Sequence, residues 1–440
     1  MNKNNTNNKN KNKILLGGNV IGSGGFGCVF RPALKCKNSN KRTNGVSKLS
    51  ILSDSNIEWA KLELVKKYVK KIPNYQNYFL LSDLEKCLPA KLDNTDTSNY
   101  NTCSVLQNFG FTKNNINDKL HELQIINMPY GGINLTQLFT TSQYKLPTIN
   151  NLLIELLLNG IIPMNNLYIY HLDIKDTNLV YDQKYIRIID FGTCEIGTST
   201  KIIPKSIYET PFISYNSPFS RILFSDRLIQ SLKFFLTKYK ITQSSSRLHE
   251  KLHSFMNKYI TVTEVGTKIM HGPSISQIFL PAIIKLGGQP EIKKNLLEYI
   301  ISKYCSKILV KYINYSTKTL NISAYFKEVY SKNVDVYGFI ISYLPIILST
   351  ITIIDNEYNK ALIANIIIKY CFSDEYASIP ININELVNDL KKLNSPTNII
   401  PEINLNKLYQ PTKSKTKVKK SKTKKTKKTK KTKKTKKTKK

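Results

Sequence analysis

Acidic residues are scarce in this 440-residue chain: 30 Asp and Glu stand against 66 Lys and Arg, a formal net charge of +36. The excess is uneven. Residues 413–440 hold 18 lysines and no acid, which leaves +18 for the rest. No Cys-x-x-Cys pair occurs among the cysteines at 28, 36, 87, 103, 194, 305 and 371. That scatter predicts free thiols in a reducing compartment and argues against a disulfide framework. Residues 1–13 lack an apolar core, so no secretory leader is expected. One segment imitates a membrane span, Val336 to Ile354, uncharged over 19 residues; Asp335 opens it and Pro345 interrupts it, so a buried helix is expected instead. Hydrophobic residues make up 41% of the chain, a globular value. The Thr-Lys-Lys repeats of 413–440 and the Asn/Lys-rich residues 1–13 cannot offset their ordering entropy by burial and are expected to be disordered.

Against this background one string stands out. His171-Leu172-Asp173-Ile174-Lys175-Asp176-Thr177-Asn178 is followed, 12 residues after Asn178, by Asp190-Phe191-Gly192. Asp173 can accept a proton from an incoming hydroxyl. Lys175 can neutralise charge growing on a transferred phosphoryl group. Asn178 and Asp190 offer hard oxygen ligands of the kind that suit Mg2+ bridging nucleotide phosphates. A lone Asp-Phe-Gly is usually a turn and a lone His-x-Asp usually surface; the ordered combination carries the signal.

Upstream, Gly22-Ser23-Gly24-Gly25-Phe26-Gly27-Cys28-Val29 fits G-x-G-x-x-G-x-V. The same glycine spacing can open the helix of a dinucleotide-binding unit. Here Val29-Phe30-Arg31-Pro32 follows, β-branched and aromatic and then proline, so the glycines lead into a strand. No acidic residue lies where a ribose-binding carboxylate would be expected, and a hairpin that lays its backbone over phosphates is the better reading.

Together these motifs resemble the eukaryotic-type serine/threonine protein kinases. The Asn- and Lys-rich composition is similar to that of the divergent kinases of giant, mimivirus-like DNA viruses. The resemblance runs from Gly22 to about Tyr337 and implies a two-lobed α+β fold with ATP and Mg2+ as cofactors and a protein substrate. The small, mainly β lobe would occupy 14–130. The large, mainly helical lobe would take 131–218, with the catalytic loop and activation segment, and 334–400. Residues 219–333 match no part of the family and read as a helical insertion, for example over 290–313. By the resemblance, Ile21 to Gly27 and Val29 would cover the nucleotide. Lys48, on the strand Gly45–Leu49, would hold its phosphates in preference to Lys35 or Lys37, which sit too close to the hairpin. A helix from Ser55 (its N-cap) to Lys71, with Ile57, Ala60, Leu64 and Tyr68 as its apolar stripe, would supply a glutamate partner for Lys48. Glu58 is favoured, with Glu63 the alternative. Leu123–Gly132 would be the hinge, with Ile126 guarding the back pocket. The Asn127 carbonyl would accept from adenine, and Pro129 would stand where a donor N–H is usual. Residues 148–170 read as a long helix with Leu153, Leu156, Leu157, Ile161 and Leu167 inward, and Tyr185–Ile189 as the strand delivering Asp190. Asp335 would anchor the catalytic loop from the central helix.

The chain also departs from the family. Leu172 replaces the arginine that normally pairs with an activation-segment phosphate. Asn216-Ser217-Pro218 is the nearest equivalent of Ala-Pro-Glu. His249 and His253, with His271 further on, lack a third ligand and do not read as a zinc site. Beside the kinase expectation stand a pseudokinase scaffold and a tether in which the tail binds nucleic acid or another polyanion without reading sequence. The expected setting is intracellular: host cytoplasm or virion if the chain is viral, or the nucleus through the lysine tail.

Overall fold

The computed structural model describes residues 17–39, 42–141, 144–197, 203–209, 214–262, 275–288, 295–349 and 357–408. Residues 1–13, 413–440 and His271 lie outside the described residues. The fold is α+β, with antiparallel strands gathered towards the N-terminus and helices forming most of the remainder.

Five strands make the first sheet: β1 (Asn19–Ser23), β2 (Gly27–Arg31), β3 (Val46–Ile51), β4 (Glu85–Cys87) and β5 (Leu123–Met128), in the order β1-β2-β3-β5-β4. Alternation along the strands sends Cys28, Phe30, Leu49, Leu123 and Ile125 to one face. There they pack with Leu92, Tyr100, Leu106, Phe111 and Ile116 of the segment linking β4 to β5. That segment also closes the β1 edge. The Asn99 side chain brackets Val20, accepting from its N–H at 2.9 Å and donating to its carbonyl at 2.8 Å. Asp96 accepts the Gly18 N–H at 2.6 Å and pairs with Arg42 at 2.7 Å. An edge strand with paired backbone groups cannot recruit a stray partner.

Two disulfides reinforce this region, contrary to the expectation of free thiols. Cys28 on β2 is bonded to Cys103, 75 residues on, and Cys36 to Cys87 on β4, 51 residues on. Each bond ties a strand to a connecting segment folded against the sheet, Cys103 in the β4–β5 connection and Cys36 in the β2–β3 connection, so no local spacing announces them. Cys194, Cys305 and Cys371 are free and buried.

Helix α1 (Leu52–Val69) follows β3 directly. Its buried face is Ser55, Glu58, Leu62, Val65 and Val69. The expected stripe is therefore misplaced: Ile57 is 64% exposed, Leu64 43%, and Ala60 is exposed too. Ser55 is an interior residue and not the N-cap, which is Ile51. The helix has apolar residues on two sides, and the side bearing Glu58 is the one turned inward.

The other sheets are small: β6 (Ile133–Asn134), β8 (Leu179–Tyr181) and β9 (Ile186–Ile188) form one, and β7 (Ile169–Tyr170) pairs with β10 (Glu195–Ile196). Helix α2 spans Leu146–Asn166, with Leu153, Leu156, Leu157 and Ile161 in the core. It stops before the strand that was folded into the expected 148–170 helix. By length and composition α2 alone among the described helices could cross a membrane, but half of its most apolar window is buried in the protein.

The stretch 219–333 is mainly helical where described, with α3 (Asp226–Lys238), α4 (Leu248–Val262) and α5 (Leu296–Tyr312), and it also holds a short antiparallel pair, Ile313–Asn314 with Thr319–Leu320. These helices share one core with the rest of the helical region. His249 and His253 bond Ser306 and Ser302 of α5 at 3.2 and 3.0 Å, so they tie α4 to α5. As far as Ser349, where the described residues stop, the uncharged run divides into α6 (Ser331–Ile341), buried at every residue from Asn333 on, and a short helix Leu344–Leu348.

Candidate functional site

Three pieces of chain meet at Lys48. Val29, Lys48 and Ile126 lie in register on β2, β3 and β5, so the lysine projects from the middle of the sheet. Its Nζ donates to Glu58 Oε1 at 2.7 Å, and Asp190 Oδ1 lies 3.7 Å away. Glu63 is exposed on the far side of α1. Burial opposes charge on Lys48, but Asp190 and Glu58 outweigh it and raise the lysine's pKa. Glu58 is also pushed up, because burial and the nearby acids Asp190 and Asp54 overcome the pull of Lys48. For Asp190 burial works upward, yet Lys48 and the Gly192 N–H bring it below the ordinary carboxylate range. Water still reaches 47% of the Asp190 side chain, so the carboxylate is enclosed but accessible.

A second group centres on Asp173. Oδ2 accepts from Lys175 Nζ at 2.8 Å and from Asn178 Nδ2 at 3.0 Å, while Oδ1 accepts from Asn216 Nδ2 at 2.9 Å. Asn178 donates its other N–H to the Asp173 carbonyl at 2.9 Å, leaving Oδ1 as that side chain's remaining capacity. Asn216 is nearly fully buried and also donates to the Ile174 carbonyl at 3.0 Å. Asp176 accepts from Thr136 Oγ1 and, at 3.2 Å, from Tyr215 OH.

The loop between β7 and β8 is fixed from beneath. Asp335 on α6 accepts from the N–H groups of His171 at 2.8 Å and Leu172 at 2.9 Å, and from Asn165 Nδ2 at 2.7 Å. Leu172 and Asp190 both have φ 63, a left-handed conformation that non-glycine residues adopt only when surroundings enforce it. His171 Nε2 meets the Ile189 carbonyl at 3.1 Å and its Nδ1 accepts the Asp173 N–H at 3.3 Å, which fixes the Nε2–H tautomer. The Ile189 N–H donates to the Asn178 carbonyl at 3.0 Å, and Phe191 packs on His171 with ring centres 4.9 Å apart. These links join the Asp173 and Asp190 groups.

Ile21 to Ser23 end β1, Gly24 to Phe26 make the turn and Gly27 opens β2; Ile21 and Phe26 are each 54% exposed. A Cβ on Gly22 or Gly25 would meet nothing within 4 Å, and one on Gly24 only the Gly27 carbonyl at 3.8 Å. None of the three has positive φ. Neither packing nor backbone conformation therefore demands glycine there, whereas close approach by a ligand would. Asn127 is buried between Ser47 and Glu85 in register; its side chain accepts from the Ser47 hydroxyl and donates to Glu85 at 3.3 Å. Pro129 follows the end of β5, and Arg31 stacks 3.3 Å over the ring of Tyr130. A cavity of about 650 Å3 lies elsewhere, between α2 and Phe326–Lys332, and of the residues named in this site only Asn165 lines it.

Asp190 and Asn178 are two oxygen donors and not a full metal cage. Among the described residues no cluster of three or more His, Cys, Asp or Glu could hold an ion alone. That donor set fits Mg2+, which completes its shell with water and substrate phosphates. Lys61, Thr136 and Tyr215 carry no motif in the sequence, and Asn216, read there only as part of the Ala-Pro-Glu equivalent, turns out to donate to Asp173. No protein-family model matches the chain, and no curated protein matches it either.

Proposed function

We propose that the chain is an ATP- and Mg2+-dependent protein kinase that transfers the γ-phosphoryl group to serine or threonine hydroxyls. In this reading the sheet with α1 is the small lobe of a two-lobed kinase fold, and the helical region is the large one. The observation that carries it is the single ammonium of Lys48 shared by Glu58 on α1 and Asp190 after β9. A cation held between two carboxylates, beside an unobstructed glycine turn, is organised to receive phosphates. Asp190 and the free oxygen of Asn178 would hold Mg2+. Phosphoryl transfer asks the protein mainly for position and charge. Asp173 would accept the hydroxyl proton. Because both its oxygens already have donors, the incoming hydroxyl displaces one of them. Lys175, 2.8 Å from Asp173, stands where charge on the phosphoryl oxygens would develop.

The test is transfer of label from γ-labelled ATP to a protein or peptide acceptor, with wild type beside Asp173→Asn and both checked for fold by circular dichroism. Incorporation into Ser or Thr that disappears in the variant supports the reading; no incorporation by wild type points to a binding scaffold. We assign residues 413–440 to polyanion binding. With about eight lysines engaged, log affinity for DNA should fall against log salt with a slope near about −6 to −7, and removing the tail should abolish that slope without changing peptide phosphorylation.

A further inference from the structure

The start of the segment after β9 is held by contacts that need no phosphate. Thr193 Oγ1 donates to the His171 carbonyl at 3.0 Å, and the Gly197 N–H to the Tyr168 carbonyl at 2.8 Å. Strand β10 pairs with β7, the strand leading into the Asp173 loop. The charged contact is Lys61, which donates from α1 to the Gly192 carbonyl at 2.9 Å and lies 3.6 Å from Glu195 Oε1. Lys61 sits three residues after Glu58, so both side chains leave the helix on neighbouring rows. One rigid helix thus grips Lys48 through Glu58 and the residue pair after Asp190 through Lys61. Leu172, meanwhile, offers no cation to a phosphate.

Resting on the kinase reading above, we propose that Lys61 is a positioning residue. It clamps the Gly192 carbonyl to α1, holds Asp190 in its left-handed conformation facing Lys48, and replaces phosphate-dependent ordering of this segment. A hydrogen bond from a charged donor to a carbonyl is among the stronger ones in a protein, and its loss corresponds to roughly ten- to hundredfold in an equilibrium. Without it the Asp190–Gly192 turn is free to leave a conformation that the backbone itself disfavours.

The experiment measures kcat, the KM for acceptor peptide and the Mg2+ concentration for half-maximal rate. Full-length wild type, Lys61→Met, Lys61→Gln and Lys61→Arg are compared, each also after phosphatase treatment. The expected result is a ten- to hundredfold lower kcat in Lys61→Met and Lys61→Gln with a raised Mg2+ requirement. The peptide KM and unfolding midpoint should be unchanged, Lys61→Arg should recover most of the rate, and phosphatase should leave wild type active. A merely structural role would not move the Mg2+ requirement. Either neutral variant running at the wild-type rate with wild-type Mg2+ dependence overturns the clamp alone, as does a tenfold loss when wild type is dephosphorylated. A wild type that neither binds Mg2+-nucleotide nor transfers phosphate overturns the kinase reading, and the clamp with it.

Discussion

The sheet region and the helical region are stabilised by different means. Residues 17–128 carry both disulfides, the Arg42–Asp93–Asp96 cluster and a segment that covers the outer sheet face. A small sheet with a thin core gains from cross-links because they restrict the unfolded chain. The helical region has three free buried thiols and one large apolar core, and it fixes the Asp173 loop through the buried carboxylate of Asp335. Where flexibility would blur a ligand site, the sheet region uses covalent bonds. Where a loop must be held in left-handed backbone, the helical region uses one buried carboxylate. The candidate site lies where these two solutions face each other.

The largest effect should come from Asp335→Ala. It leaves the N–H groups of His171 and Leu172 and the Asn165 amide without their acceptor in a buried setting, a loss of about 3–5 kcal/mol in urea unfolding. A loss below about 1 kcal/mol would mean that the loop is held by something else. Next, replacing Cys28 and Cys103 together by serine should cost the sheet region about 2–4 kcal/mol. Amide exchange should rise in β1, β2 and residues 93–104 and stay unchanged in α5 and α6. Equal loosening of both regions would erase the contrast drawn between them. On α1, Leu62→Ala should cost about 2–4 kcal/mol and Leu64→Ala within about 0.5, because only the first is buried. Reversed values would restore the face read from sequence.

The smallest effect is one of acid. Burial alone would raise the Asp93 pKa, but hydrogen bonds from Thr95 and the Asp96 N–H, with the charge of Arg42, bring it down to about 2 from 3.8. Its contribution is complete above the unfolded value of 3.8 and fades as the pH falls towards 2. Since half of this side chain is exposed, the contribution is below about 1 kcal/mol. Asp93→Asn should flatten that part of the pH–stability curve; an unchanged curve would remove Asp93 from the account.

The strands around the glycine turn and the path from His171 to Asp190 were legible in sequence because their signals are local. β-Branched, aromatic and apolar residues between glycines mark β2, β3 and β5, and the site side chains lie within short strings. What was not legible depends on distant chain. Cys28 meets Cys103 only because the β4–β5 segment folds back over the sheet. Helix α1 carries Ile57 and Leu64 on one side and Leu62, Val65 and Val69 on the other, so periodicity alone could not choose the inner face. Asn216 and Lys61 reach Asp173 and Gly192 from elements 43 and 131 residues away.

The proposed kinase activity requires that Lys48, Glu58 and Asp190 form one Mg2+-nucleotide site across both regions. Calorimetric titration of ATP into the full chain, with and without Mg2+, tests it most directly in wild type, Lys48→Met and Asp190→Asn. Wild type should bind ATP in a Mg2+-dependent way, Lys48→Met should lose most of the affinity, and binding by Asp190→Asn should no longer respond to Mg2+. Binding that stays equally Mg2+-dependent in Asp190→Asn, or no binding by wild type, would contradict it.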